Sequence, residues 1–448
     1  MDEKKKVFEE YPVLKSLAIM AVPAVISQLI TLIYNIADTW YIGLTNNPNM
    51  VAACSLVLPI FMITNVVANI FGTGGGSLIS RLLGCQDHRE AGKVFAVSLW
   101  MSVITSAVFC ICAVAFSEPI LRLLGASDNT IEYAKQYLIY VVGFGGTFSV
   151  LSMVLSNLIR SIGYSKEAGI GMGIGGVLNI ALDPLFMFVI FPDGMQVMGA
   201  AVATMISNIV AFLYFGFVCV KNRENPVVCI SIKSGLPTSS SMGEIFNVGI
   251  PAGVSVLLFD VSNMVANNRM AAHGDTFLAA YGIVTKVERL PLNIGVGICI
   301  GMIPLIAYNH ASGNKERRNK IFTSARAVGL VIAFTCVVLY YVFSAGIVEF
   351  FIRDAQTVKW GTIFLRARCF ATPFMFLSFN MVNYFTAVGR GKTSFVLAVI
   401  RQIGFNIPIM LILDRMYGAD GLVWTQLTAD VCTVIVSYII YFAFRRRE

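Results

Sequence analysis

The run PAVISQLITLIYNIADTWYIG, residues 23–43, is apolar almost throughout, yet it carries Asn35 and Asp38 inside it. A second run, PAGVSVLLFDVSNMVANNRM at 251–270, opens on the same Pro-Ala pair 228 residues later. It also repeats the asparagine, Asn263 answering Asn35 at that same offset. The order continues downstream. Asn157, Gly163 and Lys166 are answered by Asn383, Gly389 and Lys392, each 226 residues on, and Gly199 by Gly421 near that spacing. Long apolar stretches written twice at a near-constant offset point to a membrane chain built from two repeats.

Working outward, the apolar segments are 16–41, 52–80, 93–117, 133–158, 165–190, 197–220, 245–268, 277–307, 321–345, 362–387, 393–413 and 420–443. Each is long enough to cross the roughly 30 Å hydrocarbon layer as a helix. A lipid-embedded backbone must satisfy its own hydrogen bonds, and these runs are too long and too continuous for barrel strands. The expected fold is therefore all-α and polytopic, with twelve transmembrane helices in two six-helix pseudo-symmetric lobes. The lobes are residues 1–220 and 245–448, and 221–244 is a cytoplasmic linker. An even number of helices per lobe makes the repeats parallel, related by an axis along the membrane normal. Composition agrees: of 448 residues 57% are hydrophobic and only 13% charged, against about a quarter charged in soluble domains.

The net charge of +8 is decided by position. Lysines crowd the first fifteen residues. Further basic clusters are Arg81, Arg89 and Lys93; Arg160 and Lys166; Lys221, Arg223 and Lys233; Lys315, Arg317, Arg318 and Lys320; Arg390 and Lys392; and Arg445 to Arg447. They fall in alternate loops, the positive-inside pattern, which places both termini in the cytoplasm. No basic patch interleaved with aromatics argues for nucleic acid. The N-terminal apolar stretch runs past Asp38 without a cleavage site and reads as a retained first helix. The ten cysteines are scattered through apolar segments, and the three histidines are far apart, so no zinc spacing appears. GTGGGS at 72–77 continues into Leu78 rather than a Lys-Ser or Lys-Thr pair, so it is a packing motif and not a phosphate loop. No HExxH, GxSxG or nucleotide fingerprint is present. An enzyme is not expected.

Ionisable groups inside a membrane are costly and mark function. Asp38 and Asp183 both fall in the outer half of their helices, and Asn179 sits one turn before Asp183. Two carboxylates with amide oxygens suit a monovalent cation, or a shared proton. Asn35 shares the face of Asp38, and Asn157 is a further polar candidate. Asp260 breaks the repeat, since Leu32 holds the equivalent place. Lys286, Glu288 and Arg289 fall inside the eighth segment and are expected to pair internally, Asp260 included, or to contact substrate. Pro23 is a bending point for helix 1, and Pro291 marks a place where helix 8 could break. Arg366, Arg368 and Arg401 are expected to snorkel to the interfaces, Arg401 being the deepest. Phe259, Met264, Phe374, Met375 and Phe376 are candidates to line a cavity.

Taken in order, Pro23 and Gln28, Asn35, Asp38 and Gly43, the Gly72–Gly84 run, Arg160 to Gly163, and Asn179, Asp183 and Pro184 make the chain resemble the multidrug and toxic compound extrusion (MATE) family. Gly249, Pro251, Asn309, Gly313, Gly389, Lys392 and Gly421 extend the likeness over nearly the whole length. Within the family the chain looks most like the bacterial branch of staphylococcal-type multidrug pumps and DNA-damage-inducible relatives. The resemblance implies alternating-access antiport in a bacterial inner membrane. Small lipophilic, often cationic compounds leave as Na+ or H+ enters, with no other cofactor. It places the coupling ion, possible Na+ included, at Asp38, Asn179 and Asp183, and makes Asp260 the counterpart of a helix 7 acid. Some members carry a helix 10 acid where this chain has Asn380 and Asn383, which shifts weight to the N-lobe. A monomer is expected, because the two lobes already enclose a cleft. The rival reading is a lipid-linked oligosaccharide or lipid flippase, which would need a strongly cationic cleft.

Overall fold

The structure is a computed structural model and describes residues 2–45, 47–192, 194–231 and 235–447. Lys233 and the middle of the inter-lobe linker lie outside the described residues. Among those residues every regular element is helical. In chain order these are α1 (Asp2–Glu9), α2 (Val13–Gly43), α3 (Pro48–Gly84), α4 (His88–Ala115), α5 (Ser117–Leu123) and α6 (Ile131–Leu138). Next come α7 (Gly146–Ser161), α8 (Ser165–Leu185), α9 (Gln196–Lys221), α10 (Ser239–Ala271), α11 (Asp275–Ala311) and α12 (Lys315–Phe351). The chain ends with α13 (Ala355–Arg368), α14 (Thr372–Ala387), α15 (Gly391–Val399), α16 (Ile407–Tyr417) and α17 (Ala419–Arg447). Short π-helical stretches at Ile139–Phe144, Phe186–Ile190 and Ile400–Asn406 follow α6, α8 and α15.

Among the described residues ten helical spans are long and apolar enough to cross a membrane, and α6 with α7, bent by 43°, makes an eleventh. This is a multi-pass membrane fold. The segment expected at 362–387 is not one helix. It divides into α13, a 3₁₀ turn at Cys369–Ala371, and α14. Pro373 is the local cause, since it lacks an N–H and its ring crowds the carbonyl four residues back. By contrast α11 runs unbroken through Pro291 and Pro304, so the expected interruption there is absent. Pro23 likewise sits inside a continuous α2.

The two halves of the chain meet through glycine. A β-carbon on Gly301 of α11 would lie 2.6 Å from the Ala21 nitrogen and 2.8 Å from the Met20 carbonyl carbon of α2. One on Gly249 of α10 would lie 2.8 Å from the Ile70 carbonyl carbon of α3. These contacts lie toward the ends that carry the basic loops. There Ser77 Oγ donates to the Thr386 carbonyl at 2.8 Å, and Arg81 pairs with Glu244. The short α1 adds to this closure. Its Phe8 ring stacks on Tyr308 at 4.9 Å, and Arg317 donates to the Phe8 and Tyr11 carbonyls at 2.7 and 2.8 Å. On the other side Lys4 sits 4.4 Å from the Tyr164 ring centroid. Gly301→Val is expected to force α2 and α11 apart at a cost of about 1–3 kcal/mol. A lowered melting temperature of the purified protein checks this; an unchanged one would mean the helices are free to separate there.

Candidate functional site

Close packing of α8 on α2 sets the first site. Gly169 lies against Pro23, where a β-carbon would meet the proline Cβ at 2.8 Å, and Gly173 lies against Ile30. Gly176 faces Ile30 and Tyr34. Ser165 Oγ donates to the Met20 carbonyl at 2.7 Å and fixes the register at the basic end. The two helices run in parallel, so one further turn brings Asn179 and Asp183 level with Asp38.

Asp183 is fully buried and Asn179 nearly so. The Asn179 amide donates to Asp183 Oδ1 at 3.2 Å and to Thr204 Oγ1 at 3.1 Å. That uses its donors and leaves its oxygen over. Asn179 Oδ1, Asp183 Oδ2 and Asp38 Oδ1 are all buried without a hydrogen-bond partner. Buried acceptors are rarely left so, because each forfeits its solvation. The Asp38 and Asp183 charges act on one another, and Tyr34, Cys54 and Tyr137 lie within electrostatic reach of Asp38. Among the described residues neither carboxylate has an ion-pair partner. Three surplus oxygens, on two carboxyl groups without a basic partner and one amide, fit a small cation or a proton. Among the described residues no group of three or more His, Cys, Asp or Glu gathers.

Two further candidates flank this set. The Asn35 side chain is exposed and interacts with Tyr34. Asn157 accepts from Arg160 Nη1 at 3.1 Å and lies beside Gly72. Pro184 passes directly into the π-helical stretch at Phe186–Ile190, a distortion often found beside functional residues.

In the second half the expected grouping of Lys286, Glu288 and Arg289 is divided. Lys286 and Arg289 are exposed, while Glu288 is buried. Glu288 pairs with Arg368, whose Nε lies 2.9 Å from both carboxylate oxygens. Arg368 Nη1 also donates to the Tyr281 hydroxyl at 3.1 Å. Arg401 pairs with Asp430 at 2.7 Å, both side chains buried. Neither Arg368 nor Arg401 snorkels, because each has an internal carboxylate that costs less to reach than the interface. Arg366 instead donates to Ser344 at 2.8 Å. Asp260 lies within reach of the Arg289 charge. A cavity of about 60 Å³ lies against Glu288, Arg289 and Arg368 and is also lined by Phe259, Asn263, Thr285, Met375 and Gln426. Sequence reading missed Asp430 and Thr204. Asp430 was open to the rule that selected Asp260, an acid inside an apolar segment; Thr204 carried no signal.

A multi-pass helical bundle with an unpaired acid couple in one half and arginine-matched acids in the other defines a polytopic helical membrane protein. The chain belongs to the MatE family, whose profile matches it twice, over residues 23–185 and 251–412. It is 33% identical over 442 residues to a multidrug export protein, MepA, of Staphylococcus haemolyticus, covering 98% of this chain and 96% of that one. It is 31% identical over 446 residues to MepA of Staphylococcus aureus strain MRSA252, covering 100% and 97%. Among solved structures it superposes on an outward-facing multidrug resistance MATE transporter with a TM-score of 0.92 at 22% identity, covering 98% and 97%. A Vibrio cholerae MATE transporter gives 0.90 at 19% identity, covering 100% and 99%. These likenesses establish the fold.

Proposed function

We propose that this chain is a cation-coupled antiporter that exports lipophilic, often cationic compounds by alternating access. The export activity named for its staphylococcal relatives supports the substrate class. The observation that carries the coupling is the set of partnerless oxygens at Asp38, Asn179 and Asp183. Na+ or H+ entering there removes the repulsion between the carboxylates and lets α2 repack on α8 around Pro23. Coupling requires that ion and substrate favour different states, not only that both bind. Arg289, on the wall of the second-half cavity, and Asp260, within reach of its charge, are the substrate contacts of this scheme, with Lys286 one turn before Arg289 on α11. Glu288 orders Arg368. Asn35, beside Tyr34, and Asn157, which holds Arg160, are the assisting residues of the ion site in this scheme.

The architecture of this reading is two six-helix lobes, 1–220 and 245–448, joined by the 221–244 linker. The double profile match supports it, as does counting α6–α7 and α13–α14 each as one bent span. Both termini are cytoplasmic in a bacterial inner membrane, and the protein acts as a monomer. Contacts between the halves at the basic end support an outward-open state. A flippase is the less favoured reading, because the Arg368 and Arg401 charges are each matched by a buried carboxylate, Glu288 and Asp430.

The test is purified protein in liposomes loaded with a fluorescent lipophilic cation, under a sodium gradient or a pH gradient imposed separately. Transport under one of them alone is expected and names the ion. No transport under either, with the protein folded, would overturn the antiport reading.

A further inference from the structure

Phe259 of α10 and Phe379 of α14 form an edge-to-face pair, with ring centroids 5.8 Å apart at 67°. The Arg401 guanidinium lies against both, its carbon 4.4 Å from the Phe379 centroid and 5.9 Å from that of Phe259. Its Nε donates to Asp430 Oδ1 at 2.7 Å. The arginine does not close the usual two-pronged bond with the carboxylate, and its Nη2 is buried without a partner. The side chain is 4% exposed. The other Asp430 oxygen accepts from Gln426, which also accepts from Asn406 at 3.3 Å.

Two openings adjoin this cluster. Gln426 and Phe259 line the 60 Å³ cavity, and Phe379 lines a second small one; Leu292 and Met375 belong to both. The backbone under Arg401 is π-helical over Ile400–Asn406, a form that seldom persists without a functional reason. Two aromatic faces and a carboxylate, away from water, are the chemistry that holds an organic cation. Here an arginine fills that position and leaves one of its own donors unmet.

We propose that Phe259, Phe379 and Asp430 form a binding site for a lipophilic organic cation, and that Arg401 is its internal occupant in the substrate-free protein. A cation entering past Gln426 displaces the guanidinium. Asp430 stays paired throughout the exchange, which avoids the large cost of an unpaired buried carboxylate. A drug-sized ligand needs on the order of 300 Å³ or more, so the space vacated by Arg401 is part of the site. The inference rests on the drug-export reading and names where in the second half the cargo binds.

The test uses tetraphenylphosphonium binding to full-length protein in detergent, with no gradient. Arg401→Ala is expected to bind at least about fivefold more tightly than wild type, a 1 kcal/mol gain being nearly that factor. Adding Asp430→Asn or Phe379→Ala to that variant should remove the gain. A folded Arg401→Ala protein that binds equally or more weakly would overturn the proposal. Should that variant fail to fold, a photoreactive aryl phosphonium on wild type decides. Labelling around Phe259 and Phe379 supports the site, and labelling confined to residues 1–220 overturns it. No phosphonium bound in either assay also overturns it, while the liposome experiment judges antiport on its own terms.

Discussion

Asp183→Asn is expected to abolish gradient-driven efflux, a loss of about a hundredfold, within the range of coupling energies between linked sites. The same substitution is expected to raise the melting temperature of the purified protein in sodium-free buffer by a few degrees. The two effects have one cause. Asp183 is completely buried, lacks any basic partner among the described residues, and holds one oxygen with no donor. Asn179 Oδ1, beside it, is equally unsupplied. An amide in place of the carboxylate removes the buried charge and brings an N–H within reach of that oxygen. Each partnerless buried polar atom costs about 1–3 kcal/mol, so a more stable but uncoupled carrier should result. Asp38→Asn should lose transport to the same degree with a smaller gain in stability, because Asp38 is only half-buried. The pair of measurements, efflux in liposomes and melting in detergent, separates a coupling role from a packing role. Wild-type efflux by either variant would remove these residues from the ion site.

The two halves of the molecule manage their buried acids in opposite ways. In residues 245–448 the buried carboxylates are met by arginine, Glu288 by Arg368 and Asp430 by Arg401. In residues 1–220 Asp38 and Asp183 are left to repel one another. A small cation gains most where negative charge is unmatched, so on the antiport reading proposed above the first half would take up the ion, while the second keeps its buried acids paired.

What could be read beforehand follows this division. Asp38 and Asp183 stood out because an acid in a long apolar run has no cheap explanation, and the four-residue spacing placed Asn179 on the same face. Their approach across two helices depended on Gly169, Gly173 and Gly176, which let α8 lie against α2; spacing alone does not say which helix a glycine face meets. The repeat was legible because Pro23 and Pro251 sit at equivalent points. The break in the 362–387 segment was less so, since Pro residues bend, break or pass unnoticed according to what packs around them. Pro373 divides its segment, whereas Pro291 does not. The arginine pairings escaped because snorkelling is a rule about one side chain and the lipid, and takes no account of a carboxylate on another helix. Arg368 and Glu288 are 80 residues apart in sequence, and only the fold brings them together.

Glu288→Gln should therefore be among the most damaging single changes in the protein. Arg368 would remain buried, 6% exposed at its side chain, with the Tyr281 hydroxyl its remaining partner. Removing one member of a buried ion pair costs about 3–5 kcal/mol, mostly because the other charge stays uncompensated. The expected result is a marked fall in melting temperature, with a loss of monodisperse protein on size exclusion. The pair itself is a different matter. Two buried ions attract strongly but surrender their hydration, and replacing both with apolar residues of similar volume is often neutral or better. Glu288→Met together with Arg368→Met should consequently recover most of the lost stability. Transport by that double variant then says why the pair is kept. Recovered efflux makes it a packing element that α11 and α13 could do without. A stable protein that no longer transports makes the charges part of the cycle, either by orienting the cavity wall at Thr285 and Arg289 or by exchanging partners as the lobes move. Failure of the double variant to regain stability would sink the electrostatic account, and would assign the damage to lost shape in the core around Tyr281.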